Sequence, residues 1–319
     1  MKSVVEIFSE LSTRLKSIPT EIVCTAKEQN SWFFQIHTAI DAIREQMLDS
    51  EKLSEWLSTY NITPHTPKRV AIIMAGNIPA VGFADLLYVI ASGNIPVVKY
   101  SSKDRVLMEY IVRELLDIEP QLSIEQYDGQ NVDAVIATGS DSAVLHFRAM
   151  FGDRPTLIRG SRHSVAVLTG NESQRDIENL SKDIFTYCGL GCRNVSLIFA
   201  PEGFDFRLVV PQMPEGYNNN YRHARALMTL QAKSFTDCGG ALIAEGDASF
   251  SRYISCINIC RYTQINEVKE WLKNNNSRIQ CVVAAEKLSS RSVPFGRAQY
   301  PGLNDYADDV DVMNFLLSI

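Results

Sequence analysis

The sequence predicts an α/β protein with a mainly parallel sheet, preceded by a helical segment and followed by a second α/β unit. Three observations carry that reading. Short β-branched runs, "RVAIIMAG", "NIPVVKYS" and "DAVIATGS", alternate with helical stretches, the pattern of βαβ units. Apolar residues ahead of them recur at helical spacing only. A further strand-like run, "VSLIFAP", follows a glycine-rich turn well after that series ends.

Residues 1–67 read as helices. Phe8, Leu11 and Leu15 share one face, and Phe33, Ile36, Ile40, Ile43 and Met47 share another, with Asn30 or Ser31 as its N-cap. Leu53, Trp56, Leu57 and Tyr60 define a third helix. "NITPHTPK" ends the segment, because proline removes a backbone donor and restricts the residue before it. From Arg69 come a strand, the apolar helix "AVGFADLLYVIASG", a second strand, and a helix from Asp104 to Asp117. A weaker strand in "SIEQYDG" leads to the strong one in "DAVIATGS" and a helix from Asp141 to Phe151, and "PTLIRGS" and "SVAVLTG" close the series. Ile177, Leu180 and Ile184 then mark a helix stopped by Gly189. Beyond "VSLIFAP", strands are expected in "VVPQM", "YISCINIC" and "IQCVVAA". The resulting division is a helical segment over 1–67, an α/β domain over 68–168, a second over 169–290 and a tail over 291–319.

The 319 residues are 45% hydrophobic, enough for a sizeable core, and the net charge of −6 with scattered Lys and Arg speaks against nucleic-acid binding. The N-terminus, "MKSVVEIFSELSTRLKS", is amphipathic and lacks the apolar core of a signal peptide. The most apolar stretch, residues 80–92, contains Asp85 and is too short to span a bilayer. Seven cysteines, an odd number without secretory context, predict a reducing, cytoplasmic location.

The chemistry candidates lie at strand ends and turns. In "FTYCGLGCRNVSLIFAP", Cys192 follows a helix and a Gly-x-Gly turn and precedes a strand. It is either a small core residue or a nucleophile on an exposed turn, with Arg193 beside it as a source of positive potential. Cys188, on the last helical turn, reads as packing. The order helix, turn, strand is the reverse of a dinucleotide-binding loop. Neither a Cys-x-x-Cys pair nor a Gly-x-Ser-x-Gly elbow occurs, and the histidines lack ligand spacing, so no metal site and no serine hydrolase is expected. Asn77 stands just past the first strand, where an amide can serve an oxyanion or simply a turn. Lys99 ends the second strand, with Ser101, Ser102 and Lys103 beyond it. Dinucleotide folds place an acid near there, and serine with lysine suits a 2′-phosphate better. Gly139 and Ser140 form a strand-to-helix junction whose amides favour a phosphate. The acidic group Asp305, Asp308, Asp309 and Asp311 reads as a solvated helix start.

The segments "GNIP", "VVKYSSKD", "ATGS" and "GLGCRNVS" occur in the order found in the aldehyde dehydrogenase superfamily. More closely, "GNIPAVGFADLLYVIASGNIPVVKYSSKD", "IRGSRHSVAVL", "YCGLGCRNVSLIFAP" and "VPFGRAQYPGLNDYADDVDVMNFL" resemble the acyl-CoA (fatty-acyl) reductase family of the LuxC type. The resemblance implies an aldehyde-dehydrogenase-like fold with a Rossmann-type NADP(H)-binding domain over 68–168, a catalytic domain over 169–290, and a tail that packs back or meets another subunit of a homo-oligomer.

It further implies that Cys192 attacks an acyl thioester, releasing CoA, and that the acyl-enzyme is reduced to an aldehyde with NADPH. Asn77 and the Cys192 amide would form the oxyanion hole. Lys99 and Ser102 would hold the adenosine ribose and Ser140 the pyrophosphate, with Lys103 and Gly139 in the same cofactor-binding loops. Ile158, in "LIRGSRH", stands where hydrolytic members carry the glutamate that activates water, so the acyl-enzyme should survive to take a hydride. Ser102 stands where NAD-preferring members carry a glutamate, which favours NADP(H). A ligase or transferase is the implied acyl donor. Reduction of an acyl phosphate or acyl-protein would use the same chemistry, an acyl-transfer subunit would use its first half, and a degenerate scaffold would use none.

Overall fold

The computed structural model describes residues 2–319, which divide into two units: the chain up to Ser161 together with Tyr300–Ile319, and Arg162–Gln299. The first unit begins with helices α1 (Val4–Arg14), α2 (Thr20–Gln29), α3 (Ile36–Met47) and α4 (Ser50–Ser58). A capping box starts α1, Ser3 and Glu6 each satisfying the other's backbone N–H. Phe8, Leu11 and Leu15 are buried, as their spacing predicts. The expected N-cap of α3 is displaced. Asn30 instead follows the end of α2, its side-chain oxygen accepts the Trp32 N–H at 3.2 Å, and α3 starts only at Ile36.

Five parallel strands follow: β1 (Arg69–Ile73), β2 (Ile95–Lys99), β3 (Glu125–Gln126), β4 (Ala134–Thr138) and β5 (Thr156–Arg159), in spatial order β3-β2-β1-β4-β5. Helices α5 (Phe83–Ala91), α6 (Arg105–Ile118) and α7 (Asp141–Phe151) connect them. Every residue of α5 but Ala84 is buried, Asp85 included. Its carboxylate accepts from the Arg159 guanidinium at 2.9 and 2.8 Å, and both side chains are out of solvent. Removing one partner of such a pair leaves an uncompensated buried charge. Arg159→Met should therefore lower unfolding stability by about 3 kcal/mol, read from denaturant titration, and Asp85→Leu in the same chain should recover most of it.

The second unit holds β6 (His163–Val167), α8 (Gln174–Phe185), β7 (Val195–Pro201) and α9 (Glu215–Leu230). It continues with β8 (Thr236–Asp237), β9 (Leu242–Glu245), β10 (Cys256–Tyr262), α10 (Ile265–Asn274), β11 (Ile279–Ala284) and β12 (Ser292–Val293). Its sheet runs β12-β11-β6-β7-β10-β9-β8, parallel except for the β8–β9 pair. Two expectations are corrected. "SVAVLTG" does not close the first strand series, because β6 pairs with β7 and β11. "VVPQM" forms no strand, and Pro211 has no N–H to give a ladder.

The chain then returns to the first unit. Helix α11 (Val312–Leu317) buries Val312, Met313 and Leu316 in the same core as Leu86 and Leu87 of α5. Ahead of it, the Tyr306 hydroxyl accepts from Trp56 Nε1 at 2.9 Å and meets the Tyr60 hydroxyl at 2.5 Å. No described helix is long and apolar enough to cross a membrane.

Candidate active site

Because β1, β2 and β4 are parallel neighbours, the loops that leave their carboxyl ends lie side by side on one edge of the first sheet. The loop after β1 approaches the loop after β2 closely. A Cβ on Gly76 would stand 2.2 Å from Ser101 Oγ, so only glycine fits there. Asn77 follows it, exposed. Lys99, Ser102 and Lys103 are exposed too, and the Ser101 hydroxyl accepts the Lys103 N–H at 3.3 Å. Asp104 is buried at the start of α6, and burial holds its carboxyl well above the usual range. After β4, Gly139 leaves no room for a side chain, since a Cβ would lie 2.8 Å from that of Ala143. Ser140 is the N-cap of α7, its hydroxyl accepting the Ala143 N–H at 3.4 Å and pairing with Ser142 at 2.9 Å. The fold thus gathers Asn77, Lys99, Ser102, Lys103, Gly139 and Ser140 on one sheet edge.

Cys192 belongs to the second unit, on the turn between α8 and β7. The chain leaves α8 through Tyr187 (φ 54°), Cys188 (φ 59°) and Gly189 (φ 71°), all left-handed. For the two non-glycine residues this conformation costs roughly 1–2 kcal/mol each. Asn194 holds the turn in that shape. Its side-chain amide donates to the carbonyls of Asp183 (3.1 Å), Ile184 (3.1 Å) and Thr186 (2.8 Å), which the end of the helix leaves without intrahelical partners. Its Oδ1 accepts the Gly191 N–H at 2.8 Å. The Cys192 carbonyl accepts from the Ser164 hydroxyl of β6 at 2.9 Å, and that hydroxyl in turn accepts the Cys281 N–H at 3.1 Å. Cys192 itself is exposed.

The neighbouring Cys188 is fully buried, and burial pushes its thiol up to about 12, so it stays protonated, in keeping with a packing role. Arg193 directs its Nε to the Ala298 carbonyl at 2.6 Å. It anchors the turn to the segment at 294–299, a role its position beside Cys192 does not suggest. Sequence reading missed Asn194, Ser164 and Asp183. Only Asp183 left a trace, as an acid between Leu180 and Ile184 on the apolar face of α8.

Comparisons with known proteins place the chain in a family. The acyl-CoA reductase (LuxC) family model matches residues 33–207, more than half of the chain. No curated protein sequence matches it. Among solved structures, the chain is similar to aldehyde dehydrogenase 21 from Physcomitrella patens in complex with the reaction product succinate. The TM-score is 0.69 at 11% identity, over 99% of this chain and 83% of that one. An aldehyde dehydrogenase from Bacillus cereus in complex with NAD+ superposes at TM-score 0.62 and 11% identity, covering 89% of this chain and 72% of its own. A glyceraldehyde-3-phosphate dehydrogenase from Methanocaldococcus jannaschii complexed with NADP gives 0.60 and 11%, covering 88% and 75%. The fold is that of the aldehyde dehydrogenases, and the chain belongs to the LuxC family of acyl-CoA reductases.

Proposed function

We propose that this protein reduces an acyl-CoA to the aldehyde through an acyl group carried on Cys192. The observation that carries the reading is the contrast within one motif, an exposed Cys192 on a braced turn beside a buried, protonated Cys188. The Cys192 thiolate attacks the thioester carbonyl carbon, the carbon–sulfur bond to CoA breaks, and CoA leaves as a thiolate that takes up a proton. When bound, a nicotinamide cofactor would supply a hydride to the acyl carbon, and with a proton from solvent the acyl-enzyme on Cys192 would become a thiohemiacetal. Collapse of that species breaks the bond to Cys192 and frees the aldehyde. Asn77 is proposed as an amide donor to the carbonyl oxygen, and the Cys192 backbone amide as a second. Ile158, half-buried on β5, offers no base to activate water, which favours reduction over hydrolysis.

The first sheet edge suits a dinucleotide phosphate. The N-terminal amides of α7 suit a pyrophosphate, and Lys99, Ser102 and Lys103 are exposed on this edge while the carboxyl of Asp104 is buried. We assign Lys99, Ser102 and Lys103 to the adenosine ribose and its 2′-phosphate, and Gly139 and Ser140 to the pyrophosphate. Ser102→Glu should then cut kcat/KM with NADPH by about tenfold or more and leave NADH little affected, because a carboxylate there repels the 2′-phosphate. Equal losses with both cofactors would contradict that assignment.

The activity is tested by offering acyl-CoAs of several lengths, an acyl phosphate and an acyl carrier protein with NADPH, and measuring aldehyde, CoA and NADPH consumed. Aldehyde, CoA and oxidised cofactor in equal amounts from acyl-CoA support the reading. Free acid, or CoA release without cofactor oxidation, would sink it.

A further inference from the structure

Asp183 is a buried acid with no part in the chemistry above, yet it sits where the Cys192 turn is anchored. It lies on α8 with 1% of its surface exposed, and its two carboxylate oxygens accept the N–H groups of Gly296 at 2.6 Å and Ala298 at 2.9 Å. The same segment receives Arg193, whose Nε reaches the Ala298 carbonyl. Gly296 makes the close approach to α8 possible. Its φ is +81°, and a Cβ there would stand 3.0 Å from the Cβ of Asn179, one turn before Asp183. Ala298 is therefore held from both sides, its N–H by Asp183 and its carbonyl by the residue next to Cys192.

We propose that Asp183 is a positioning residue for Cys192, clamping the segment at 294–299 so that Arg193 holds the cysteine turn in register. The assignment rests on the reading of Cys192 as the nucleophile. The charged groups facing the carboxyl are Arg193 from the turn and Lys182 from its own helix, and Arg297 lies on the segment between the two N–H donors. Burial outweighs the two N–H bonds and these cations and raises the Asp183 carboxyl to about 7. With the segment released into water, the carboxyl returns toward its ordinary value of about 4. The closed form therefore keeps a proton that the open form loses. Opening becomes easier as pH rises from about 4 and levels off above about 7.

Hydrogen exchange of the 294–299 amides in the wild-type protein, corrected for intrinsic rates, tests this directly. Protection should fall with pH across that window and then level. In Asp183→Asn, whose side-chain NH2 must face one of the two donors, protection should be lower at acidic pH and independent of pH. Steady-state kinetics provide the second readout. Asp183→Asn and Arg193→Ala should each lower kcat roughly tenfold with KM for acyl-CoA little changed, and the double variant should lose no more than either alone. Losses that multiply, or a pH dependence of exchange that persists in Asp183→Asn, would overturn the proposal. If Asp183→Asn does not fold, flat wild-type protection across the window overturns it alone. Should Cys192→Ala retain activity, the nucleophile reading fails, while exchange still judges the clamp separately.

Discussion

Replacing Cys192 by alanine is expected to abolish aldehyde formation, with kcat falling by a factor on the order of 10^4 or more. The expectation follows from the proposed covalent route. With no thiolate to break the bond to CoA, hydride would have to add to the free thioester, which the positioning of Cys192 does not assist. Cys192→Ser should do little better, since a hydroxyl is far less acidic than a thiol and is a weaker nucleophile near neutrality. Both variants should keep the wild-type fold, because Cys192 is exposed and its backbone carbonyl still accepts from Ser164. Unchanged thermal unfolding together with lost turnover is the signature. Cys188→Ala should show the opposite pattern, a stability loss from a buried position with chemistry intact in the folded fraction.

Replacing Asn194 by alanine is expected to have the largest effect of any substitution that leaves Cys192 in place. One side chain makes four hydrogen bonds, three to the closing carbonyls of α8 and one from Gly191. The two amide hydrogens serve the three carbonyls by sharing, so at about 1 kcal/mol for each of three independent bonds the loss is near 3 kcal/mol. The left-handed run at Tyr187 and Cys188 then loses the contacts that hold it, and the turn should relax toward a continued helix. Turnover should fall at least a hundredfold, a rough figure for a reacting group displaced by about 1 Å. Asn194→Asp should not rescue it, because a carboxylate would face three carbonyl oxygens. Denaturant titration and kcat, measured on the same preparations, check both halves.

The strand and helix order was legible because it depends on local periodicity. The helix from Asp141 to Phe151 lies where its spacing predicts, and α6 is displaced by a single residue. Periodicity identifies a strand without naming its sheet, so "SVAVLTG" reads as the end of the first series although β6 pairs with β7 and β11. The start of α3 at Ile36 departs from the expected cap for a different reason. Asn30 is good cap chemistry, and its side chain closes a turn of its own instead. At the site, the Gly-x-Gly turn and the strand-end residues stood out by residue type. Asp183 and Asn194 did not, because a buried polar residue declares itself only through its partners. Those of Asp183 lie 113 and 115 positions further along the chain. No spacing rule connects Asp183 to "PFGRAQ", whereas the shared carbonyl and amide of Ala298 do.

The most direct test of the central claim is to incubate the protein with acyl-labelled acyl-CoA in the absence of reductant, then map the label by peptide mass spectrometry. The account predicts one acyl group per chain, on Cys192, with an equal amount of CoA released. Adding NADPH should discharge the label as aldehyde in a single turnover. Label of equal amount on Cys192→Ala, or aldehyde formed while Cys192 never carries an acyl group, would contradict it.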